Sequence, residues 1–142
     1  MDTAAAVAAF FNRYSAAFAA RDTAAIQGLF DDPLSVLTAE RNLAYVGPQQ
    51  LAAYVQGMLE TYGKIGLAWP VPAAVWTWPY GEDLVRAEIL WLLRNETRDE
   101  IARFSTGYLL RRVGSEWKVA TVVSYQEPAV LNAHFAEPAS AS

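Results

Sequence analysis

The chain has 142 residues, a net charge of −4 and no cysteine; 54% of its residues are hydrophobic and 18% charged. That is one domain's worth of chain, able to bury roughly two thirds of its unfolded surface and too apolar to be disordered. Disulfides, thiolate metal sites and thiol nucleophiles are excluded, and an acidic balance lacks the basic footprint of a nucleic-acid binder.

Val7, Phe10, Phe11, Tyr14 and Phe18 recur at helical spacing among alanines, which predicts an amphipathic first helix. A signal peptide needs a cationic start, but Asp2 stands there and Asn12-Arg13 interrupts the apolar run, so the segment reads as part of the mature domain. No apolar run reaches the roughly 18 residues of a membrane span, and the expectation is a cytoplasmic protein. Asp22 can cap a short second helix over Thr23 to Phe30, with Ile26, Leu29 and Phe30 inward. Asp31-Asp32-Pro33 should stop it, because the residue before proline is pushed out of the helical region. A strand over Leu34 to Ala39, a turn at Glu40-Arg41-Asn42 and a return strand over Leu43 to Val46 follow.

Pro48 suits a first helical position and Gly63 a left-handed stop. Between them Leu51, Tyr54, Val55, Met58, Leu59 and Tyr62 form one apolar stripe. Beyond Gly63 the texture turns to β. Pro70 and Pro72 confine their stretch to a sheet edge or a loop. Val75 to Tyr80, Leu84 to Asn95, Glu100 to Val113 and Glu116 to Gln126 read as strands, and Ala136 to Ser142 as a flexible tail after a single domain of residues 1–135. Helices first and an antiparallel meander afterwards make an α+β domain.

Alternation assigns the strand faces. Val85, Ala87, Ile89, Trp91 and Leu93 should meet the helices, as should Phe104, Thr106, Tyr108 and Leu110. In the last strand Trp117, Val119, Thr121, Val123 and Tyr125 share the inward face. Leu90, Leu92 and Leu109 fall on the opposite side, among Arg86, Glu88 and Arg103.

An aromatic first helix, a short helix ending in Phe30-Asp31-Asp32-Pro33, the Pro48–Gly63 helix and a meander closing on Arg111-Arg112-Val113-Gly114-Ser115-Glu116-Trp117-Lys118-Val119 together resemble the nuclear-transport-factor-2-like superfamily over about residues 4–127. The order is most similar to its SnoaL-like, ketosteroid-isomerase-like branch. The resemblance implies a cystatin-like cone: three N-terminal helices on a curved, mainly antiparallel sheet with a pocket at the open end. Relatives include isomerases, dehydratases, hydrolases and cyclases as well as simple binders, so the fold alone does not name a reaction.

The residues that carry chemistry in such relatives are missing here. The position matching the isomerase base falls near Leu37, and the histidine positions of the last strand hold Thr121 and Val123. Asp32 and Glu40 are the carboxylates nearest in sequence and the weak catalytic candidates, against readings as a helix-closing residue and a solvated turn. His134, the only histidine, cannot make a multi-histidine metal site. No metal site and no cofactor are implied, and neither a phosphate loop nor a dinucleotide fingerprint is present. Arg86 with Glu88 and Arg94 with Glu96 read as solvated ion pairs.

Two functions remain open. The first is a small-molecule pocket lined by Tyr14, Phe18, Tyr54, Met58, Trp91, Tyr108, Thr121 and Tyr125, taking an apolar or carbonyl-bearing molecule and serving a binder or a cofactor-free isomerase, cyclase or dehydratase. It expects a cavity of several hundred Å³. The second is a non-catalytic, dimeric interaction module whose cone is filled by Trp91, Phe104 and Trp117. Either is expected to pair as a homodimer through the outer leucines, with no nucleic-acid or membrane partner.

Overall fold

The computed structural model describes residues 2–140, with side chains as far as Phe135. Helix α1 (Thr3–Ala19) starts on Asp2, whose carboxylate accepts from the Ala4 N–H, and it buries Val7, Phe10, Phe11, Tyr14 and Phe18. Helix α2 (Thr23–Gln27) is capped by Asp22, which accepts from Ala25 N at 3.1 Å. It ends three residues sooner than its apolar pattern suggests, because Phe30 already belongs to β1 (Phe30–Leu37). Asp31-Asp32-Pro33 therefore lies inside a strand rather than closing a helix. The register of β1 on its neighbour breaks between Phe30 and Ser35, so proline's missing N–H interrupts no regular ladder.

Strand β2 (Asn42–Tyr45) returns antiparallel to β1 and leads into α3 (Gly47–Lys64), with Pro48 in its first turn. The left-handed residue after α3 is Gly66, at φ +81°, and not Gly63. Leu67 N donates to Tyr62 O at 3.0 Å and closes the helix end.

Four strands complete the sheet: β3 (Trp69–Tyr80), β4 (Leu84–Arg94), β5 (Glu100–Val113) and β6 (Glu116–Val123). The order is β2-β1-β6-β5-β4-β3, antiparallel except for the β1–β6 pair. Pro70 and Pro72 lie on β3, an edge strand. The three N-terminal helices cover one face, and α1, the inner faces of β4 and β5, and α3 share one core. A fourth helix, α4 (Glu127–Ser140), was not foreseen. The expected tail is thus helical as far as Ser140, and residues 141–142 lie outside the described part. Among the described residues no helix is long and apolar enough to cross a membrane.

One irregularity governs the site. Leu110 pairs with Val119 but Leu109 pairs with Thr121, so Ala120 is an extra residue in β6. Such a bulge reverses the inward and outward alternation beyond it. Val119 is buried as expected, but from there on Val122 and Ser124 turn inward. Thr121, Val123 and Tyr125 go to the outer face; Tyr125 is 50% exposed and donates to Glu88.

Candidate functional site

The wide end of the cone is bounded by α3, the β1–β2 hairpin and the start of α4. Two adjacent spaces occupy it. The inner one is a cavity of about 30 Å³ among Tyr14, Phe18, Tyr54, Met58, Tyr62, Trp91, Phe104, Thr106, Tyr108, Val122 and Glu127, with Leu67, Pro70 and Leu93. It has room for a water or two and not for a ligand, because buried side chains, Trp91 and Phe104 among them, pack the cone. The outer one is an open cleft of about 500 Å³, walled by Val36, Thr38, Tyr45, Ala53, Tyr54, Gly57, Met58, Thr61, Tyr62, Ser124 and Leu131, with Glu127 also on its wall. Tyr54, Met58, Tyr62 and Glu127 line both spaces.

Six of the eight expected pocket residues meet at the inner cavity: Tyr14, Phe18, Tyr54, Met58, Trp91 and Tyr108. Thr121 and Tyr125 do not, because the Ala120 bulge carries them to the far side of the sheet. Asp32 is exposed and accepts from Gly47 N at 2.9 Å, which ties β1 to the start of α3. Glu40 is exposed in the β1–β2 turn. Neither carboxylate lines the cavity or the cleft. Asp31 accepts from Arg111 Nε at 2.7 Å and Nη2 at 3.1 Å; those hydrogen bonds hold its carboxyl below the usual aspartate value, although burial opposes them. The expected strand ion pairs are otherwise engaged: Arg86 stacks on Trp78 at 4.3 Å and Arg94 donates to the Arg98 carbonyl. His134 stands on α4 with its ring edge-on to Phe135.

Inside the cone the tyrosines form a connected set. Phe11 and Tyr108 rings stand 4.9 Å apart, Tyr14 and Trp91 rings 5.5 Å. Trp91 Nε1 donates to the Tyr108 hydroxyl at 2.8 Å. Burial raises the pKa of Tyr14, Tyr54, Tyr62 and Tyr108, so all four stay neutral.

The residue that sequence reasoning missed is Glu127. Tyr62 donates to its Oε2, and Ser124 Oγ donates to Oε1 at 3.2 Å. Burial pushes the carboxyl above the ordinary glutamate value, while these two hydrogen bonds pull the other way. Its place was marked by Ser124-Tyr125-Gln126-Glu127-Pro128, a Ser-x-x-Glu spacing with proline after it, which is a helix-start signature. Such a carboxyl can exchange a proton or pair with a cation. Among the described residues no group of three or more His, Asp or Glu side chains is placed to hold a metal.

The architecture is similar to several solved structures. A protein of unknown function with a cystatin-like fold from Nostoc punctiforme superposes with a TM-score of 0.68 at 11% identity, covering 84% of this chain and 87% of that one. An NTF2-like protein with a cystatin-like fold from Novosphingobium aromaticivorans gives 0.66 at 14% identity, over 84% and 79%. A ketosteroid isomerase-like protein from Erwinia carotovora atroseptica gives 0.56 at 20%, over 87% and 95%. At these identities the likeness carries the fold alone. No curated protein matches the sequence. The model of the family described as NTF2-like protein (DUF6841) matches residues 4–127, and with its cystatin-like α+β cone the chain belongs to that NTF2-like family.

Proposed function

We propose that the protein binds a small, largely apolar molecule in the cleft between α3, the β1–β2 hairpin and α4, with its polar head group on the Glu127–Tyr62 floor. The observation that carries this reading is the cleft itself. It is a concave space of about 500 Å³ with aromatic and aliphatic walls and one carboxyl at its base, which is the usual make-up of a small-molecule site. The ligand sits in the cleft and not in the cone, whose interior is already packed. A cofactor-free isomerase, cyclase or dehydratase fits the same placement. Glu127 would then move the proton and a neutral tyrosine would donate to a carbonyl. The test is a thermal-shift screen of apolar metabolites on the wild type and on Gly57→Trp, which puts an indole into the cleft. Compounds that raise the unfolding midpoint of the wild type only support the reading. No hits, or equal shifts in both proteins, would sink it.

The second reading, a packed module that works as a homodimer, draws on the filled cone and on the outer sheet face. Register aligns Trp76 with Glu88, Trp78 with Arg86 and Leu109 with Arg86 on that face. Trp76, Trp78, Leu109 and Tyr125 there are each 38% exposed or more. Leu90 is half-buried and Leu92 buried, so the exposed patch centres on the tryptophans rather than on those leucines. Arg86 beside Glu88 suits a two-fold axis, across which each meets the other's opposite charge. Light scattering at micromolar concentration should give twice the chain mass, halved by Leu109→Glu. A wild-type monomer would refute the pairing.

A further inference from the structure

Among the described residues that line the cavity and the cleft, Glu127 is the only one that carries a charge, and these linings include no lysine, arginine or histidine. Its carboxylate enters no ion pair among the described residues. A half-buried carboxylate without a counter-charge is costly, and a proton or a cation relieves it beyond what its hydrogen bonds do. Two hydroxyls already serve it, those of Tyr62 and Ser124. The carboxylate keeps acceptor capacity beyond these two. A carboxylate has about four lone-pair positions, and two are taken. Tyr45 and Tyr54 line the same cleft, their rings 4.6 Å apart, and tyrosine rings attract cations.

Resting on the cleft as the ligand site, we infer that its ligand is a hydrophobic amine: a protonated ammonium paired with Glu127, its apolar body along Tyr45, Tyr54 and Met58. The groups facing Glu127 from the packed elements are Tyr62 and Tyr54 of α3, Tyr108 of β5 and Ser124, all neutral. Nothing there competes with an incoming cation for the carboxylate. A ligand anion meets only repulsion from the carboxylate, and a neutral carbonyl brings it no donor.

The experiment uses three probes of matched body: 2-phenylethylamine, 2-phenylethanol and 3-phenylpropanoate. Binding is read at pH 7 by calorimetry and midpoint shift on the wild type, Glu127→Gln and Gly57→Trp. The expected result is that the amine binds the wild type at least tenfold tighter than the alcohol, and that the propanoate does not bind. Glu127→Gln, close to isosteric, should erase the amine's advantage over the alcohol; Gly57→Trp should block both. Equal affinity for amine and alcohol, a preference for the propanoate, or an amine preference that survives in Glu127→Gln would overturn the amine assignment while leaving the cleft as the site. If no probe binds the wild type, or if Gly57→Trp binds them all as well, the cleft reading falls and the amine assignment with it.

Discussion

The glycines of α3 and its end give a graded test of the cleft's geometry. At Gly57, on the cleft wall, a Cβ would meet nothing within 4 Å. Gly57 is helical, so Gly57→Ala removes backbone freedom from the unfolded chain and should stabilise by about 0.5–1 kcal/mol. With an unfolding entropy of about 2 cal/mol/K per residue over 142 residues, this raises the midpoint by about 2–3 °C. At Gly63 a Cβ would come to 3.4 Å from Arg21 Nη2, whose guanidinium donates to the Leu59 carbonyl at 3.0 Å. The gain from Gly63→Ala should be smaller. Gly66, at φ +81°, should respond with the opposite sign: Gly66→Ala forces a left-handed alanine and costs roughly 1 kcal/mol. Gly57→Trp should fold about as well as the wild type, since tryptophan is still a better helix residue than glycine. Urea unfolding with unchanged slopes reads all four. A Gly57→Ala variant less stable than the wild type would mean that the α3 face is covered, and the cleft would not be open.

The Asp31–Arg111 pair makes an acid-limb prediction. Because the Asp31 carboxyl is held below its ordinary value of 3.8, chiefly by the Arg111 hydrogen bond, its contribution is full above that value and is lost as pH falls through the lowered folded one. Asp31→Asn should flatten the midpoint-versus-pH curve below about pH 4; an unchanged acid limb would refute the assignment. Glu127 works with the opposite sign. Its raised folded value makes stability greatest below its ordinary 4.5 and reduces it as pH rises, so Glu127→Gln should remove a decline between acid and neutral pH. Trp91→Phe takes a buried donor from Tyr108 and should cost about 1–3 kcal/mol, seen as a midpoint lower by several degrees; a neutral effect would place that hydroxyl in water.

Helices α1 and α3 and the start of α2 were legible because a 3.6-residue period and a cap leave their own trace, whereas α4 was not. The α1 aromatics, the Leu51-to-Tyr62 stripe and the Asp22 cap each state their environment within one turn. Strand faces on β4 and β5 were legible for the same reason at period two. Val119-Ala120-Thr121-Val122-Val123 offers no such trace. Every residue in it suits a strand on either face, and only pairing with Leu109 and Leu110 reveals that Ala120 is the extra one. The expected pocket divided accordingly: the helices, β4 and β5 supplied six residues that line the inner cavity, of which Tyr54 and Met58 also line the cleft, while β6 supplied two that lie on the outer face. Glu127 was overlooked for a different reason. Its carboxyl gains meaning from Tyr62, 65 positions earlier, a partnership no local pattern encodes.

The bulge also ties the two sides of the sheet together. Were β6 to keep all its residues but pair without the bulge, Thr121, Val123 and Tyr125 would turn into the cone, and Val122 and Ser124 would leave it. The cleft would lose Ser124, one of the two hydroxyls on Glu127, in the same event that strips Tyr125 from the outer face. Loss of the single codon at position 120 does the reverse. It makes the ladder regular and leaves every later residue on its present face, so among its relatives a β6 one residue shorter at this point should present the same pattern to the pocket and to the outer face.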